Sequence, residues 1–205
     1  MVGQIGGLAI AYLCGSLPTG YLVGRSAGID IREKGSGSTG ATNVWRNLGW
    51  QAGLLVFAVD LLKGAAAVWL MMFLGRADNY LEIWAIGAGA LAVLGHSRSV
   101  WLQFGGGKSV ATGLGVLLAL SWPVALSAFG VWLAAMAVWQ TVSIASILAA
   151  IAAPLLMWGF AQPLPYLGLA IVAAGFVIGR HRSNIERIWA GTEPKMVWGN
   201  GSQQT

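Results

Sequence analysis

The chain has 205 residues, of which 57% are hydrophobic and only 9% are charged. Ordinary soluble domains contain about 25% charged residues, so this composition argues against a soluble globular protein. The net charge of +5 could suggest nucleic acid as a partner, but the positive residues lie in segments beside long apolar runs. That distribution is typical of membrane orientation, so we predict membrane lipid as a partner and no nucleic acid.

Long apolar runs fill most of the sequence, and they lack the alternation of polar and apolar residues that a membrane β-barrel requires. A helix of about 20 apolar residues crosses the ~30 Å hydrocarbon core of a bilayer. We therefore predict a single all-α integral membrane domain over residues 1–205. The seven predicted transmembrane helices cover residues 3–24, 50–74, 81–94, 110–120, 123–139, 143–160 and 165–179.

The cationic residues are distributed unequally between the two sides that seven spans define. One side holds ten of the twelve Lys and Arg residues. It comprises residues 25–49, 95–109, 140–142 and the tail from Arg180. Only Arg76 falls on the other side, and Lys63 lies within a span. Because cytoplasmic loops are enriched in Lys and Arg, we predict an external N-terminus and a cytoplasmic C-terminus.

The first polar motif follows the first span and runs from Gly35 to Arg46. Its glycines let successive backbone N–H groups converge on an anion, and Arg46 adds a charged fork suited to phosphate. The predicted ligands in this motif are Ser36, Gly37, Gly40, Thr42, Asn43 and Arg46. A flexible Gly/Ser linker is the alternative interpretation, but the bordering Asn43 and Arg46 favour a binding role.

Two charged residues, Asp60 and Lys63, lie three positions apart within the second span. Charges inside a membrane are costly and usually face the protein interior, where they pair or serve a function. Two interpretations stay open for the pair: a structural ion pair, or a substrate role, for which Lys63 is the predicted ligand.

The second motif follows the third span. It comprises Gly95-His96, Phe104-Gly105-Gly106-Gly107-Lys108-Ser109 and Ala111-Thr112. Gly-Lys-Ser resembles the end of a nucleotide-binding P-loop, but Leu102 stands where that motif needs its first glycine, and no strand precedes it. A glycine turn that leads into a helix still binds phosphate, so Gly106, Gly107 and Lys108 are predicted ligands. A plain turn at the membrane surface is the alternative.

The third and fourth spans, which flank this motif, are too short to cross a bilayer. Their fourteen and eleven helical residues rise ~21 Å and ~17 Å, against a core of ~30 Å. If the loop 95–109 dips into the membrane, its irregular backbone must be buried in protein or line a wet cavity. The sequence thus predicts a polar pocket that opens to the cytoplasm.

The third motif follows the last span. It comprises residues 181–187, His-Arg-Ser-Asn-Ile-Glu-Arg, and then Gly191-Thr192-Glu193. On a helix His181 and Asn184 share a face, and an imidazole is suited to move a proton or to donate to phosphate. Arg182 adds a predicted cationic ligand. The alternative is a basic helix that holds anionic lipid headgroups at the membrane surface.

No metal or cofactor motif is evident in the sequence. The two His residues and the single cysteine, Cys14, lie far apart, and the acidic residues do not cluster at the spacing of metal ligands. We therefore predict a site with no metal and no cofactor.

Together the three motifs resemble the bacterial acyl-phosphate:glycerol-3-phosphate acyltransferase family, of the PlsY type. The family's three blocks occur here in the family's order, at residues 35–46, 95–112 and 181–193. The sequence departs from the family pattern at three positions. They are Ser38 in place of Asn, Gly105 in place of Lys, and Ser109 in place of Gly.

The resemblance implies seven spans, an external N-terminus and an active site at the cytoplasmic face of the bacterial plasma membrane. The implied reaction transfers a fatty acyl group from acyl phosphate to the 1-hydroxyl of glycerol 3-phosphate, giving lysophosphatidic acid and inorganic phosphate. The resemblance also implies that Gly106 and Gly107 serve acyl phosphate and that Glu193 is structural. The implied catalytic residues are Ser36, Arg46, His181 and Asn184.

The implied chemistry requires few functional groups from the protein. Acyl phosphate has a good leaving group, so the protein mainly supplies orientation and charge stabilisation. The glycerol hydroxyl still needs a proton acceptor, which is either His181 or the leaving phosphate. We favour the phosphate, because Glu186 is five residues from His181 and lies on a different helix face, so no carboxylate orients the imidazole.

A transporter or channel for an organic phosphate is the main alternative function, because short and glycine-broken spans also suit transporters. No inverted repeat is visible, however, and the three motifs lie on one predicted side. A lipid-headgroup binder without catalysis is a third possibility.

Overall fold

A computed structural model describes residues 2–75 and 79–196. Within these ranges the regular structure is helical, with short 3₁₀ turns at Ile31–Glu33 and Val100–Leu102 and no strand. The α-helices are α1 (Val2–Ser16), α2 (Thr19–Ser26), α3 (Ala41–Leu48), α4 (Trp50–Leu74), α5 (Leu81–Ser97), α6 (Val110–Leu120), α7 (Trp122–Trp139), α8 (Val142–Gly159), α9 (Leu164–Arg180) and α10 (Arg182–Trp189).

The predicted all-α membrane architecture is confirmed. Within the described residues, four segments are long and apolar enough to cross a membrane: Gly3–Ser26, α4, α7 and α8. The pair α9 and α10, bent by 57°, makes a fifth if it is counted as one span. Helices α5 and α6 are apolar but have only 17 and 11 residues. The described residues thus form a multi-pass membrane protein, while the count of seven spans stays a prediction. Arg76 lies outside the described residues.

The first predicted span, residues 3–24, falls within the apolar segment Gly3–Ser26, but this segment consists of two helices. Leu17 and Pro18 separate α1 from α2. Proline has no N–H to continue the helix, and it disfavours the α conformation in the residue before it. The carbonyl groups freed at the break bond to other elements: Lys63 Nζ donates to Leu17 O at 2.8 Å, and Ser99 Oγ donates to Ser16 O at 2.6 Å.

Close packing of α4 against its neighbours places the polar residues of the second span inside the bundle. Helix α4 contacts α1, α3, α5 and α6. At Gly64 a Cβ would overlap the backbone of Thr112, and at Gly115 it would overlap that of Leu61. In lipid no hydrophobic effect drives helices together, so their association depends on close packing. Small residues such as these glycines allow that close approach. The central position of α4 explains why Asp60 is buried.

Candidate active site

One cleft gathers side chains from all three motifs. It is lined by Ser36, Ser38, Gly40, Thr42, Asn43 and Arg46 of the first motif, by His96, Lys108 and Ser109 of the second, and by His181, Asn184 and Glu193 of the third. Residues separated by about 150 positions in sequence therefore meet, as a shared binding site requires.

Asn43 shapes the loop of the first motif from the first turn of α3. Its Nδ2 group donates to three carbonyl oxygens, those of Ser38 (2.8 Å), Lys34 (3.0 Å) and Ile31 (3.1 Å). Its Oδ1 accepts from the backbone N–H of Ser36 at 3.1 Å. Gly35 and Gly37 have φ of +54° and +67°, which glycine adopts without steric cost. The loop is thus an ordered turn that presents Ser36 to the cleft, and the contact of Asn43 with substrate stays a prediction.

The second motif forms a tight turn held by α5 and α9. The N–H of Gly107 donates to His96 O at 3.1 Å. The carbonyl of Gly107 accepts from Ser97 Oγ at 3.1 Å and from Arg180 Nη2 at 3.1 Å. Helix α6 begins two residues after Lys108. The expected glycine turn leading into a helix is therefore present, with the Lys108 side chain at the cleft.

A chain of hydrogen bonds connects the second motif to the third. Lys108 Nζ donates to Asn184 Oδ1 at 2.5 Å, and Asn184 Nδ2 donates to Glu193 Oε1 at 2.6 Å. Glu193 also accepts from Ser143 Oγ and from Arg187 Nε, each at 2.7 Å. Burial raises the pKa of Glu193, but these donors outweigh it and the net shift is downward. The carboxylate therefore stays ionised and orients the Asn184 amide toward Lys108.

The positive charges of the cleft crowd one another. Burial lowers the pKa of Lys108 to about 8; Glu193 opposes this shift, and the cations Arg187, Arg46 and Arg180 add to it. A bound anion would relieve this crowding, so the cleft favours a negatively charged ligand.

His181 lies at the junction of α9 and α10, after the last predicted span. Its Nδ1 is 2.8 Å from Val177 O, which can only accept, so Nδ1 carries the hydrogen and Nε2 keeps a lone pair. Burial lowers the pKa of His181 to about 4, the bond to Val177 opposes the shift, and the charge of Lys108 adds to it. The imidazole is therefore neutral, and only weakly basic, at neutral pH.

Three helix N-termini meet at the cleft: α3 after Gly40, α6 after Ser109 and α10 after His181. No side chain caps these three starts, and none has an acidic residue in its first turn. Free N–H groups and the positive end of the helix dipole favour anions at such positions. With Arg46 and Lys108 beside them, they form a site suited to phosphate.

Five predicted ligands, all within the described ranges, are not among the residues that line the cleft. They are Gly37, Lys63, Gly106, Gly107 and Arg182. Arg182 is exposed and pairs with Glu186 at 3.2 Å, one helical turn away. Lys63 pairs with Asp60 at 2.7 Å. Direct substrate contacts of these five residues stay predictions.

Several cleft residues were not among the ligands predicted from the sequence. They are Phe57, Asp60, His96, Trp132, Val142, Ser143 and Ser146. The serines offered a signal, because Ser143 and Ser146 are polar positions in an otherwise apolar predicted span. In residues 2–75 and 79–196, no three His, Cys, Asp or Glu side chains converge as metal ligands would.

An apolar pocket adjoins the cleft between α6, α7, α8 and α9. The two share the walls formed by Phe57, Ser109, Val110, Trp132 and Ser146. The remaining walls are almost entirely apolar and include Leu117, Ala153 and Ala170. A ligand with an anionic head and a long apolar tail would fit the cleft and the pocket together.

These features define a class: integral membrane proteins with a buried site for phosphate-bearing amphiphiles. Residues 5–191 match the family model described as glycerol-3-phosphate acyltransferase, and the chain belongs to that family.

Relatives and solved structures agree with the family match. A glycerol-3-phosphate acyltransferase of Synechococcus sp. strain JA-2-3B'a(2-13) is 60% identical over 186 residues, covering 90% of each chain. One of Thermosynechococcus vestitus is 51% identical over 194 residues, covering 91% of this chain and 92% of the relative. The glycerol 3-phosphate form of PlsY, an integral membrane glycerol 3-phosphate acyltransferase, superimposes with a TM-score of 0.89 at 40% identity, covering 95% of this chain and 96% of PlsY. Its lysophosphatidic acid form gives a TM-score of 0.86 at 40% identity, covering 94% of each chain.

Proposed function

We propose that the protein transfers a fatty acyl group from acyl phosphate to the 1-hydroxyl of glycerol 3-phosphate, forming lysophosphatidic acid and inorganic phosphate. The main support is the meeting of Ser36, Arg46, Lys108, His181 and Asn184 in one cleft that opens into an apolar pocket. The family membership, and the acceptor and product forms of the related PlsY, support the same reaction.

The charges of the cleft match the two anionic substrates. Arg46 offers a planar fork that binds phosphate through two parallel hydrogen bonds, and Lys108 offers a point charge. The Ser36 hydroxyl and the free N–H groups at the starts of α3 and α6 add neutral donors. The apolar pocket takes the acyl chain between the helices.

The reaction proceeds by attack of the glycerol hydroxyl on the acyl carbonyl carbon. The new ester C–O bond forms, the C–O bond to phosphate breaks, and its electron pair leaves on the phosphate oxygen. The hydroxyl proton passes to that phosphate, which is released as inorganic phosphate. Arg46 and Lys108 stabilise the negative charge that develops on the leaving group. The low pKa of His181 favours this route over proton transfer to the imidazole.

Two replacements of His181 distinguish a positioning imidazole from a base. If the phosphate accepts the proton, His181→Gln, which keeps a side-chain N–H donor, should retain about five- to tenfold more turnover than His181→Ala, because one hydrogen bond is worth about 1–1.5 kcal/mol. Steady-state rates of both purified variants, measured side by side, provide the check. Equal and severe loss in both would show that the imidazole itself is the base.

We infer seven transmembrane spans in the bacterial plasma membrane, with the N-terminus outside and the cleft facing the cytoplasm. The support is the side that holds ten of twelve Lys and Arg residues. In a Cys14→Ser background, cysteines at Ser38 and Gly191 should react only with a reagent that reaches the cytoplasm. A cysteine at Asn79 should react from outside in intact cells. Labelling of positions 38 and 191 from opposite faces would contradict this topology.

A liposome experiment separates the enzyme from a transporter of organic phosphate. Purified protein is reconstituted into sealed liposomes, and labelled glycerol 3-phosphate is added outside with acyl phosphate. An enzyme converts the labelled glycerol 3-phosphate to membrane-bound lysophosphatidic acid. Dissolving the liposomes in detergent then yields labelled lipid and not free glycerol 3-phosphate. A transporter would accumulate unchanged glycerol 3-phosphate in the lumen and would form no lipid.

A further inference from the structure

Three buried polar side chains form a cluster beside the turn Gly105–Lys108 of the second motif, which we call the phosphate turn, and two of them, Asp60 and His96, also line the cleft. Asp60 and Lys63 come from α4 and His96 from the end of α5, and their exposed fractions are 1%, 7% and 7%. Lys63 Nζ lies 2.7 Å from Asp60 Oδ1, and His96 Nδ1 lies 3.6 Å from the same oxygen. The cluster is therefore centred on the Asp60 carboxylate, and the His96 imidazole lies within 4 Å of that carboxylate but beyond hydrogen-bond distance.

The Lys63 end of the cluster is anchored at the break between α1 and α2. Its ammonium donates to Leu17 O at 2.8 Å, just beyond the C-terminal end of α1, where the helix dipole favours a cation. Desolvating two charges is unfavourable, and apolar residues of similar size are often as stable at such positions. An intramembrane ion pair is therefore expected to have a purpose beyond stability.

The His96 end of the cluster contacts the phosphate turn. Its imidazole lies directly against Gly107, so that a Cβ at that position would overlap Nε2. A Cβ at Gly106 would overlap the carbonyl oxygen of His96. That oxygen also accepts the N–H of Gly107 at 3.1 Å. The imidazole thus occupies the space that a side chain at position 107 would need, directly before Lys108 in the chain.

We propose that Asp60, Lys63 and His96 are positioning residues for the phosphate substrate. The Asp60–Lys63 pair orients the His96 ring, and the ring holds Gly107 and Lys108 at the place where Lys108 meets the phosphate. Lys63 then acts through this cluster and does not touch the substrate, and Gly106 and Gly107 serve phosphate binding by leaving room for His96. The inference rests on the proposed function, because it assigns the turn to a phosphate substrate.

A double-mutant cycle between His96 and Gly107 tests the contact. The measured quantity is the Kd of the purified protein for glycerol 3-phosphate and for a non-hydrolysable acyl phosphonate. The Lys108→Met variant first shows which of these two ligands Lys108 binds. The cycle is then evaluated with that ligand. Gly107→Ala alone should weaken binding at least tenfold, because its methyl group collides with the ring. In a His96→Ala background the same substitution should cost less than about twofold, since the ring is gone. An equal cost in both backgrounds would overturn the proposal.

The role of the ion pair is tested by removing both charges together. Asp60→Leu/Lys63→Met leaves no unpaired charge, so the protein should elute and melt as the wild type does. Its binding should still be about tenfold weaker, because nothing orients His96. Glu82→Gln, at an exposed carboxylate near the other end of α5, is the matched control and should bind normally.

The outcomes separate this inference from the proposed function. If Asp60→Leu/Lys63→Met binds ligand with wild-type affinity, the ion pair has only a structural role, and the positioning role proposed for it is overturned. If the wild type binds ligand and the cycle behaves as expected but no lysophosphatidic acid forms, only the proposed function fails. A wild-type protein that binds neither ligand would overturn both.

Discussion

Ser36→Ala and Arg46→Ala should each lower turnover at least tenfold and bring it close to zero, while the protein still inserts and purifies. Each substitution removes a donor that the ordered loop and α3 present to the cleft. A hydrogen bond involving a charged group is worth about 1.5–3 kcal/mol, which corresponds to a factor of about 10–150 in rate. Arg46 also donates to Pro194 O at 3.0 Å, so its loss removes one of the contacts that hold the segment carrying Glu193.

Matched controls exist on α2 for both substitutions. Ser26 and Arg25 are exposed and lie outside the cleft, so Ser26→Ala and Arg25→Ala should leave turnover unchanged. Arg46→Lys separates charge from geometry, because lysine keeps the charge and loses the fork. We expect Arg46→Lys to remain strongly impaired. Near-normal activity in Ser36→Ala or Arg46→Ala would remove the first motif from the active site.

Lys108→Met should raise the KM for at least one of the two phosphate-bearing substrates, acyl phosphate and glycerol 3-phosphate, at least tenfold at pH 7. The wild type should show a pH dependence from the same group, because the pKa of Lys108 is lowered to about 8. Below pH 8 the amine is protonated and binds phosphate, and as pH rises through 8 the charge is lost. kcat/KM, which reports the free enzyme, should therefore fall as pH rises from 7 to 10.

Two variants check that the dependence arises from Lys108. Lys108→Arg should keep its charge throughout this pH range, so its kcat/KM should not change with pH. Its rate should be lower than that of the wild type, because the guanidinium group fits the site less well than the ammonium group. Lys108→Met should show a low and flat profile. A fall of kcat/KM near pH 8 that persists in Lys108→Met would assign the titration to another group.

Hydrophobic pattern alone predicted the long helices, because it depends only on local composition. Helices α4 and α6 have the bounds that were predicted for them. The third span was predicted to end at residue 94, directly before Gly95-His96, where the second motif begins. Helix α5 nevertheless reaches Ser97, since the side chains of His96 and Ser97 are buried against the phosphate turn and do not face lipid. Tertiary contact, which no local pattern contains, extended this helix.

The three motifs were predicted from residue types suited to phosphate, and the cleft brings their polar side chains together. The positions of Asp60 and His96 could not be predicted in the same way. They are 36 residues apart, and their contact depends on the rotation of α4 relative to α5, which the sequence pattern does not determine. The same holds for Ser143 and Glu193, which meet at 2.7 Å only because the chain after α10 returns to the start of α8.

The most direct test of the central claim is a stoichiometric assay of the purified, detergent-solubilised protein. It is incubated with glycerol 3-phosphate and palmitoyl phosphate, and lysophosphatidic acid and inorganic phosphate are measured over time. We expect both products at a ratio of one to one, none with palmitoyl-coenzyme A as donor, and none from the Arg46→Ala variant. Release of phosphate without lysophosphatidic acid, or transfer from the coenzyme A thioester alone, would contradict the proposed reaction.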